Sequence, residues 1–446
     1  MIFDTLPECF LWGVATSAYQ IEGAVAEGGR GPSVWDTFSH TPGRTRHGHT
    51  GDVACDHYHR WREDVELIGG LGADAYRFSL AWPRVQPDGR GVFNPEGIAF
   101  YDRLVDALCE RGIAPVATLF HWDLPQPLED VGGWLARDTA HRFADYAARM
   151  VEALGDRVAL WVTLNEPFVL MSYGYAFGSH APGQALLFGA LPVAHHQLLG
   201  HGLATRALRD GGARAVGLVN NYSPARPASA DPADAAAARR FDVLQNRLFT
   251  DPLLTGSYPA DLGASFPGAD LGEVRDGDPE VIAAPLDFLG VNYYHPTHLA
   301  APGPDNPLGF EMVPVEGMPR TAFDWPVVPD GLRELLTALR DRYGAALPPL
   351  YITKNGCSYD DAPGQDGTVY DPERIAYLES HVAALRQAIA AGVDVRGYFV
   401  WSLLDNFEWD EGYAQRFGLV HVDYATQRRT PKSSYHWYRE LLKEQR

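Results

Sequence analysis

Basic charge is what this 446-residue chain has least of. Its 37 lysines and arginines stand against 57 aspartates and glutamates, a formal net charge of −20. A surface of that sign repels phosphate backbones and anionic headgroups, which disfavours nucleic acid and acidic membranes as partners. No run of 18 apolar residues exists, the length a helix needs to span a bilayer. Residues 1–10 hold acids but no basic stretch ahead of an apolar core, so no secretory leader is expected. The four cysteines, Cys9, Cys55, Cys109 and Cys357, include no C-x-x-C pair. That argues against a zinc clip or redox dithiol and fits free thiols in a reducing compartment. A dinucleotide fingerprint is missing too: Gly28-Gly29-Arg30-Gly31 has neither the spacing nor a preceding strand. These absences point to a soluble, cytoplasmic protein with no cofactor.

What is present is one regular alternation. Apolar, β-branched runs at 10–16, 73–79, 114–120, 160–164, 213–220, 285–291, 350–353 and 395–400 have strand length. Helical patterns separate them at 58–69, 94 onward, 137–154, 192–209, 231–249, 331–343 and 371–391, and a last one covers 431–442. Asn94-Pro95-Glu96 and Asp371-Pro372-Glu373 read as helix starts, with a capping side chain before a proline. Residues 299–328, rich in Pro and Gly, read as a long loop, and the Ala/Pro stretch 223–238 as a solvated loop and helix start. Eight strands alternating with helices, with no linker, predict a single (β/α)8 TIM barrel over residues 1–446. In that fold chemistry sits at the C-terminal ends of the strands.

The residues delivered there are unusual. Leu160-Trp161-Val162-Thr163-Leu164-Asn165-Glu166-Pro167 is a strand that ends in a carboxylate, and Pro167 forbids its ladder from continuing. Other strand ends supply Gln20, Arg77, His121, Trp122, Asn292, Tyr294, Trp401, Glu408 and Trp409. Amides, an imidazole, carboxylates and aromatic plates together suit a neutral polyol, whose hydroxyls need paired donors and acceptors and whose apolar face needs a ring.

The motifs then become specific. The stretch from Phe10 to Ala24, His121-Trp122-Asp123-Leu124-Pro125, Thr163-Leu164-Asn165-Glu166-Pro167, Val291-Asn292-Tyr293-Tyr294 and Trp401-Ser402-Leu403-Leu404-Asp405-Asn406-Phe407-Glu408-Trp409 resemble, in order, the signatures of glycoside hydrolase family 1, the β-glucosidases. The resemblance covers essentially the whole chain. It implies that Glu166 is the general acid/base and that Asn165 holds the sugar 2-hydroxyl. It implies that Gln20, His121, Glu408 and Trp409 bind the other hydroxyls, with Trp401 beneath the ring. Arg77, Asn292 and Tyr294 would surround the nucleophile, and Trp122 and Trp325 would flank the aglycone. Glu408 argues against the phospho-sugar branch of that family. The implied partner is a small-molecule β-glycoside or oligosaccharide. The loops 180–190 and 299–328 would shape the aglycone side, and their composition is uninformative; the aglycone, the choice among glucose, galactose and fucose, and the oligomeric state are not readable.

One position departs. The family's nucleophile lies in Ile-Thr-Glu-Asn-Gly, and this chain reads Ile352-Thr353-Lys354-Asn355-Gly356. A retaining glycosidase needs two carboxyl groups about 5 Å apart, one of which attacks the sugar. A protonated lysine has no lone pair and sets a positive charge where the transition state is itself cationic. Beside Arg77, Lys354 is expected to be pushed towards neutrality or to swing to Glu166, so hydrolysis should fall by several orders of magnitude. Asp360 and Asp361 lie beyond the Asn355-Gly356 turn and are poor replacements. The sequence leaves open whether Lys354 marks a β-glucosidase altered to stop turnover or a scaffold put to another use, such as sugar binding.

Histidines carry less. His195, His196 and His201 have helical spacing but no acidic partner in sequence, and no metal site is expected. His47, His49, His57 and His59 are expected to line or support the pocket rim rather than bind zinc.

Overall fold

The apolar, β-branched runs become eight parallel strands whose hydrogen-bonded order closes on itself. The computed structural model describes residues 6–445. Its strands are β1 (Leu11–Ala15), β2 (Ala75–Ser79), β3 (Ala114–Phe120), β4 (Leu160–Asn165), β5 (Val216–Tyr222), β6 (Phe288–Tyr293), β7 (Leu350–Asn355) and β8 (Val395–Trp401). They lie in chain order, and β1 pairs with both β2 and β8. Leu11 sits opposite Gly397 and Ala15 opposite Trp401. One long helix follows each strand: α1 (His57–Leu71), α2 (Pro95–Glu110), α3 (Asp138–Leu154), α4 (Leu191–Asp210), α5 (Pro232–Asp242), α6 (Pro329–Tyr343), α7 (Pro372–Ala390) and α8 (Ser433–Glu444). This is a (β/α)8 barrel.

Strand alternation divides the apolar residues into two layers. Val116, Leu160, Val162, Phe288 and Phe399 fill the barrel interior. A larger core lies between the strands and the helices. Each such side chain contributes roughly 1.5–3 kcal/mol of burial. Towards the C-terminal ends the inward positions turn polar, with Arg77, Asn165, Asn292 and Lys354 all buried. Two bulges help to aim them. The β4–β5 register shifts between Val162 and Asn165, and the β6–β7 register between Ile352 and Lys354. Each shift breaks the simple alternation and re-aims a side chain at the barrel rim.

Several boundaries differ from the sequence reading. Strand β5 begins at Val216 rather than 213, because the N–H of Ala213 bonds Leu208 O and closes the end of α4. Strand β6 begins at Phe288 rather than 285. Pro285 has no N–H to give, and the Asp287 carboxylate accepts from the N–H of Val216 instead. The helix expected over 231–249 is an α-helix only to Asp242 and then widens into a π turn over Val243–Arg247. There the amides of Gln245 and Asn246 reach Asn221 O at the end of β5 and Ser223 O just beyond it. Residues 299–328 are not a plain loop, and 223–238 is not only loop and helix start. Thr297–Ala300 pairs with Ala225–Pro227 and with Glu311–Val313. Asn94 caps α2 as expected, accepting from the N–H of Glu96. Asp371 does not cap α7. Its carboxylate accepts from the N–H and hydroxyl of Ser434, in the first turn of α8.

A buried ion network ties the last two units together. Lys432, fully buried, donates to Asp361 at 2.6 Å and to Asp405 at 2.8 Å. Arg374 reaches Asp361 and Asp371, and Arg416 reaches Asp405. No described helix is long and apolar enough to cross a membrane, and the four cysteines are unpaired.

Candidate active site

The polar layer at the strand ends is one connected network, and its hydrogen bonds fix its protonation. Arg77, in the middle of β2, has only donors. Its Nη2 gives to Asn165 Oδ1 at 2.6 Å, its Nε to Thr118 Oγ1 and its Nη1 to Thr353 O. That orients the Asn165 amide, whose Nδ2 must then give to His121 Nε2, 3.0 Å away. The His121 ring is therefore an acceptor at Nε2 and neutral. Burial, with Lys354 and Arg77 nearby, holds its pKa well below the ordinary value. Asn292 continues the chain: Thr353 Oγ1 gives to its Oδ1, and its Nδ2 gives to Asn165 Oδ1 and, at 2.5 Å, to Glu166 Oε1.

Glu166 and Lys354 face each other above this network. Lys354 Nζ is 3.6 Å from Glu166 Oε2 and 3.1 Å from His121 Nε2. The ammonium also lies over the ring of Trp401 at 4.3 Å. Both expected fates of Lys354 are thus present together. Burial pushes its pKa down to about 8, Glu166 opposes that shift and Arg77 adds to it. Arg77 itself is lowered to about 10 by burial. Glu408 is raised to about 8 by burial, with Lys354 opposing the rise, and it accepts from Gln20 Nε2 at 3.2 Å. The phenol of half-buried Tyr294 is raised well above its ordinary value by burial and by Glu166 and Glu408.

Three of these residues hold the left-handed backbone region: Trp122 (φ 78°), Glu166 (φ 48°) and Trp409 (φ 49°). Such a conformation costs a non-glycine residue on the order of 1–3 kcal/mol and tends to cluster at functional sites. Trp122 is further pinned, its Nε1 donating to Asn165 O at 2.9 Å and its ring lying 4.6 Å from that of Trp409.

Above the pair opens a cavity of about 550 Å³. Trp122, Glu166, Tyr294, Trp325, Lys354, Trp401, Glu408 and Trp409 belong to its wall. Gln20, Arg77, His121, Asn165 and Asn292 form the supporting layer behind.

The family profile described as "Glycosyl hydrolase family 1" matches residues 2–446. The chain belongs to that family. It is 52% identical over 444 residues to thermostable beta-glucosidase B of Thermobispora bispora, an alignment covering 98% of this chain and 91% of that one. The crystal structure of a psychrophilic beta-glucosidase from Micrococcus antarcticus superposes with a TM-score of 0.96 at 50% identity, covering 99% of this chain and 98% of that one. A Thermotoga maritima beta-glucosidase solved in complex with deoxynojirimycin superposes at 0.94 with 44% identity, covering 99% of each chain.

The family 1 site holds residues that no motif in the sequence marks. Phe168, Met171 and Tyr173 belong to the cavity wall. The 180–190 loop, expected on the aglycone side, supplies His180 and Phe188 to the same wall. His180 bonds Asp410 at 3.1 Å and packs against Trp122. Of the four N-terminal histidines expected to line or support the rim, none borders the cavity; His49 accepts from the N–H of Tyr413, two residues beyond Glu411 of the wall. His57 is buried against Asp64, His59 pairs with Asp56 and Glu27, and His49 packs on Tyr413 beside His47. His195 bonds Tyr258 and Asp278, His196 bonds Trp134 O, and His201 bonds Thr163 Oγ1. Among the described residues no group of three or more His, Cys, Asp or Glu side chains could hold a metal ion.

Proposed function

We propose that this chain is a β-glucosidase-type retaining glycosidase for terminal non-reducing β-D-glucosyl residues, with turnover disabled at Lys354. One observation carries the reading. In a family 1 chain, Glu166 and Lys354 project from β4 and β7 into the foot of the same cavity, 3.6 Å apart. Glu166 is the acid/base, and Lys354 occupies the position from which a carboxylate would attack. Asn165 binds the 2-hydroxyl, and Gln20, His121, Glu408 and Trp409 bind the others. Trp401 stacks beneath the ring, Arg77, Asn292 and Tyr294 surround the attacking position, and Trp122 and Trp325 flank the aglycone. The names of the relatives support the substrate class. With an ammonium at 354, neither a glycosyl ester nor its hydrolysis is available. The chain acts as one domain, and its location is cytoplasmic.

A second reading, a sugar-binding or repurposed pocket, is favoured by the finished environment of Lys354. Its Nζ already meets His121, Glu166 and the face of Trp401. Aryl β-glucoside hydrolysis by this chain and by Lys354→Glu, run side by side, separates the two. Activity in the Glu variant alone supports the disabled glycosidase. Inactivity of a folded Glu variant supports the repurposed pocket, and activity of the unaltered chain refutes the role given to Lys354.

A further inference from the structure

We propose that Lys354 is an imine-forming amine and that the cavity above it takes an aromatic aldehyde, which condenses with Nζ. The chain has only three lysines: Lys354, Lys432 and Lys443. Lys432 is sealed between Asp361 and Asp405. Lys443 is exposed on α8 and paired with Glu440 at 2.9 Å. Of the three, Lys354 alone borders the cavity.

Geometry supplies what imine chemistry needs. The amine stands at the foot of a space of about 550 Å³, within the range that encloses a small organic ligand. Phe168, Phe188, Phe310, Phe323 and Trp325 make the upper wall apolar and aromatic. An aldehyde on an aromatic ring would thus enter carbonyl first. Glu166 Oε2, 3.6 Å from Nζ, is within one proton-transfer step of the reacting atoms. The neutral amine is the nucleophile. With a pKa of about 8, roughly a tenth of Lys354 is neutral at pH 7, against roughly 0.03% for an ordinary lysine.

The step balances without a further reactant. Nζ attacks the carbonyl carbon, a C–N bond forms and the C=O π pair moves to oxygen. Before the attack the Glu166 carboxylate takes a proton from the Nζ ammonium of the ion pair, which frees the amine. It gives that proton to the new alkoxide and takes one from the adduct nitrogen in its place. It passes this second proton to the carbinol hydroxyl as the nitrogen lone pair forms the C=N bond, the C–O bond breaks and water leaves. The products are a protonated imine and one water. No electron is gained or lost.

The proposal concerns the amine itself, so its test is independent of whether the Lys354→Glu chain hydrolyses a glucoside. The unaltered chain is incubated at pH 7 with benzaldehyde and cyanoborohydride, which reduces an imine to a stable secondary amine. Peptide mass spectrometry then compares residues 354 and 443 within the same molecules. Lys354 should be benzylated at least ~10-fold faster than Lys443, following its larger neutral fraction, with Lys432 untouched. Labelling of Lys443 with Lys354 unmodified, or at equal rates, overturns the proposal. Glyceraldehyde labelling Lys354 as fast as benzaldehyde overturns the assignment of an aromatic ligand.

Discussion

Replacing Lys354 by glutamate should produce a glycosidase that retains anomeric configuration, and the expected spacing follows from one distance. A glutamate carboxyl oxygen occupies the place of the lysine Cε, one bond short of Nζ, or roughly 1.5 Å. Nζ lies 3.6 Å from Glu166 Oε2, so the nearest oxygens of the new pair fall no more than about 5 Å apart. Retaining enzymes hold their carboxyl groups about 5–5.5 Å apart, and inverting enzymes about 6.5–9.5 Å, to admit a water. Arg77, now a like charge that lowers the pKa of Lys354, would become a counter-ion. Restoring a covalent nucleophile should raise hydrolysis on the order of 10⁴- to 10⁶-fold, the scale on which losing one acts. A nitrophenyl β-glucoside reports the rate, and proton NMR of the first sugar released reports the anomer. Release of the α-anomer first would refute the spacing argument. A folded variant with no gain would refute the assignment of position 354.

Three further outcomes are expected. Lys432→Met should cost about 3–5 kcal/mol by urea unfolding, because it leaves Asp361 and Asp405 without their shared buried cation; the loss should shrink in a background that carries Asp361→Asn and Asp405→Asn. Asn165→Ala should cost about 1–3 kcal/mol, because it strips Arg77 Nη2 of its acceptor in a buried site; an unchanged unfolding midpoint would contradict the network. The third outcome is a pH dependence. Lys354 is charged in both folded and unfolded chains below pH 8, so its burial penalty is complete there, and the penalty is released as pH rises from about 8 towards 10.5. Relative to Lys354→Met, the unaltered chain should therefore gain about 2 kcal/mol between pH 8 and 9.5. Glu408, with its midpoint at about 8, overlaps the lower part of that window, and Arg77 titrates only from about 10; a flat difference across the window would exclude the shift.

The strands and much of the candidate site were legible because most strands are apolar runs and most hand over their polar cargo where they stop, Arg77 in the middle of β2 being an exception. Residues 114–120 match β3 residue for residue, and Asn94 caps the helix that it opens. The sequence reading failed where tertiary partners decide. Asp371 satisfies a helix far along the chain rather than its own. The three-stranded sheet around Thr297–Ala300 is built of strands too short and too exposed to show alternation. The environment of Lys354 was legible only in part. Its conflict with Arg77 could be anticipated, but its bond to His121 depends on a ring whose protonation is set through Asn165.

Closure of the barrel also sets an order on biosynthesis. Strand β1 pairs with β8, and Gln20 meets Asn406, Phe407 and Glu408 across nearly the whole chain. Contacts so distant in sequence form late and carry the full loop-closure cost. A ribosome that has made the first 394 residues has therefore made every barrel strand but β8 and no finished pocket. Until Val395–Trp401 emerges, the seam at β1 remains an open edge that the cell has to keep from pairing with a neighbour.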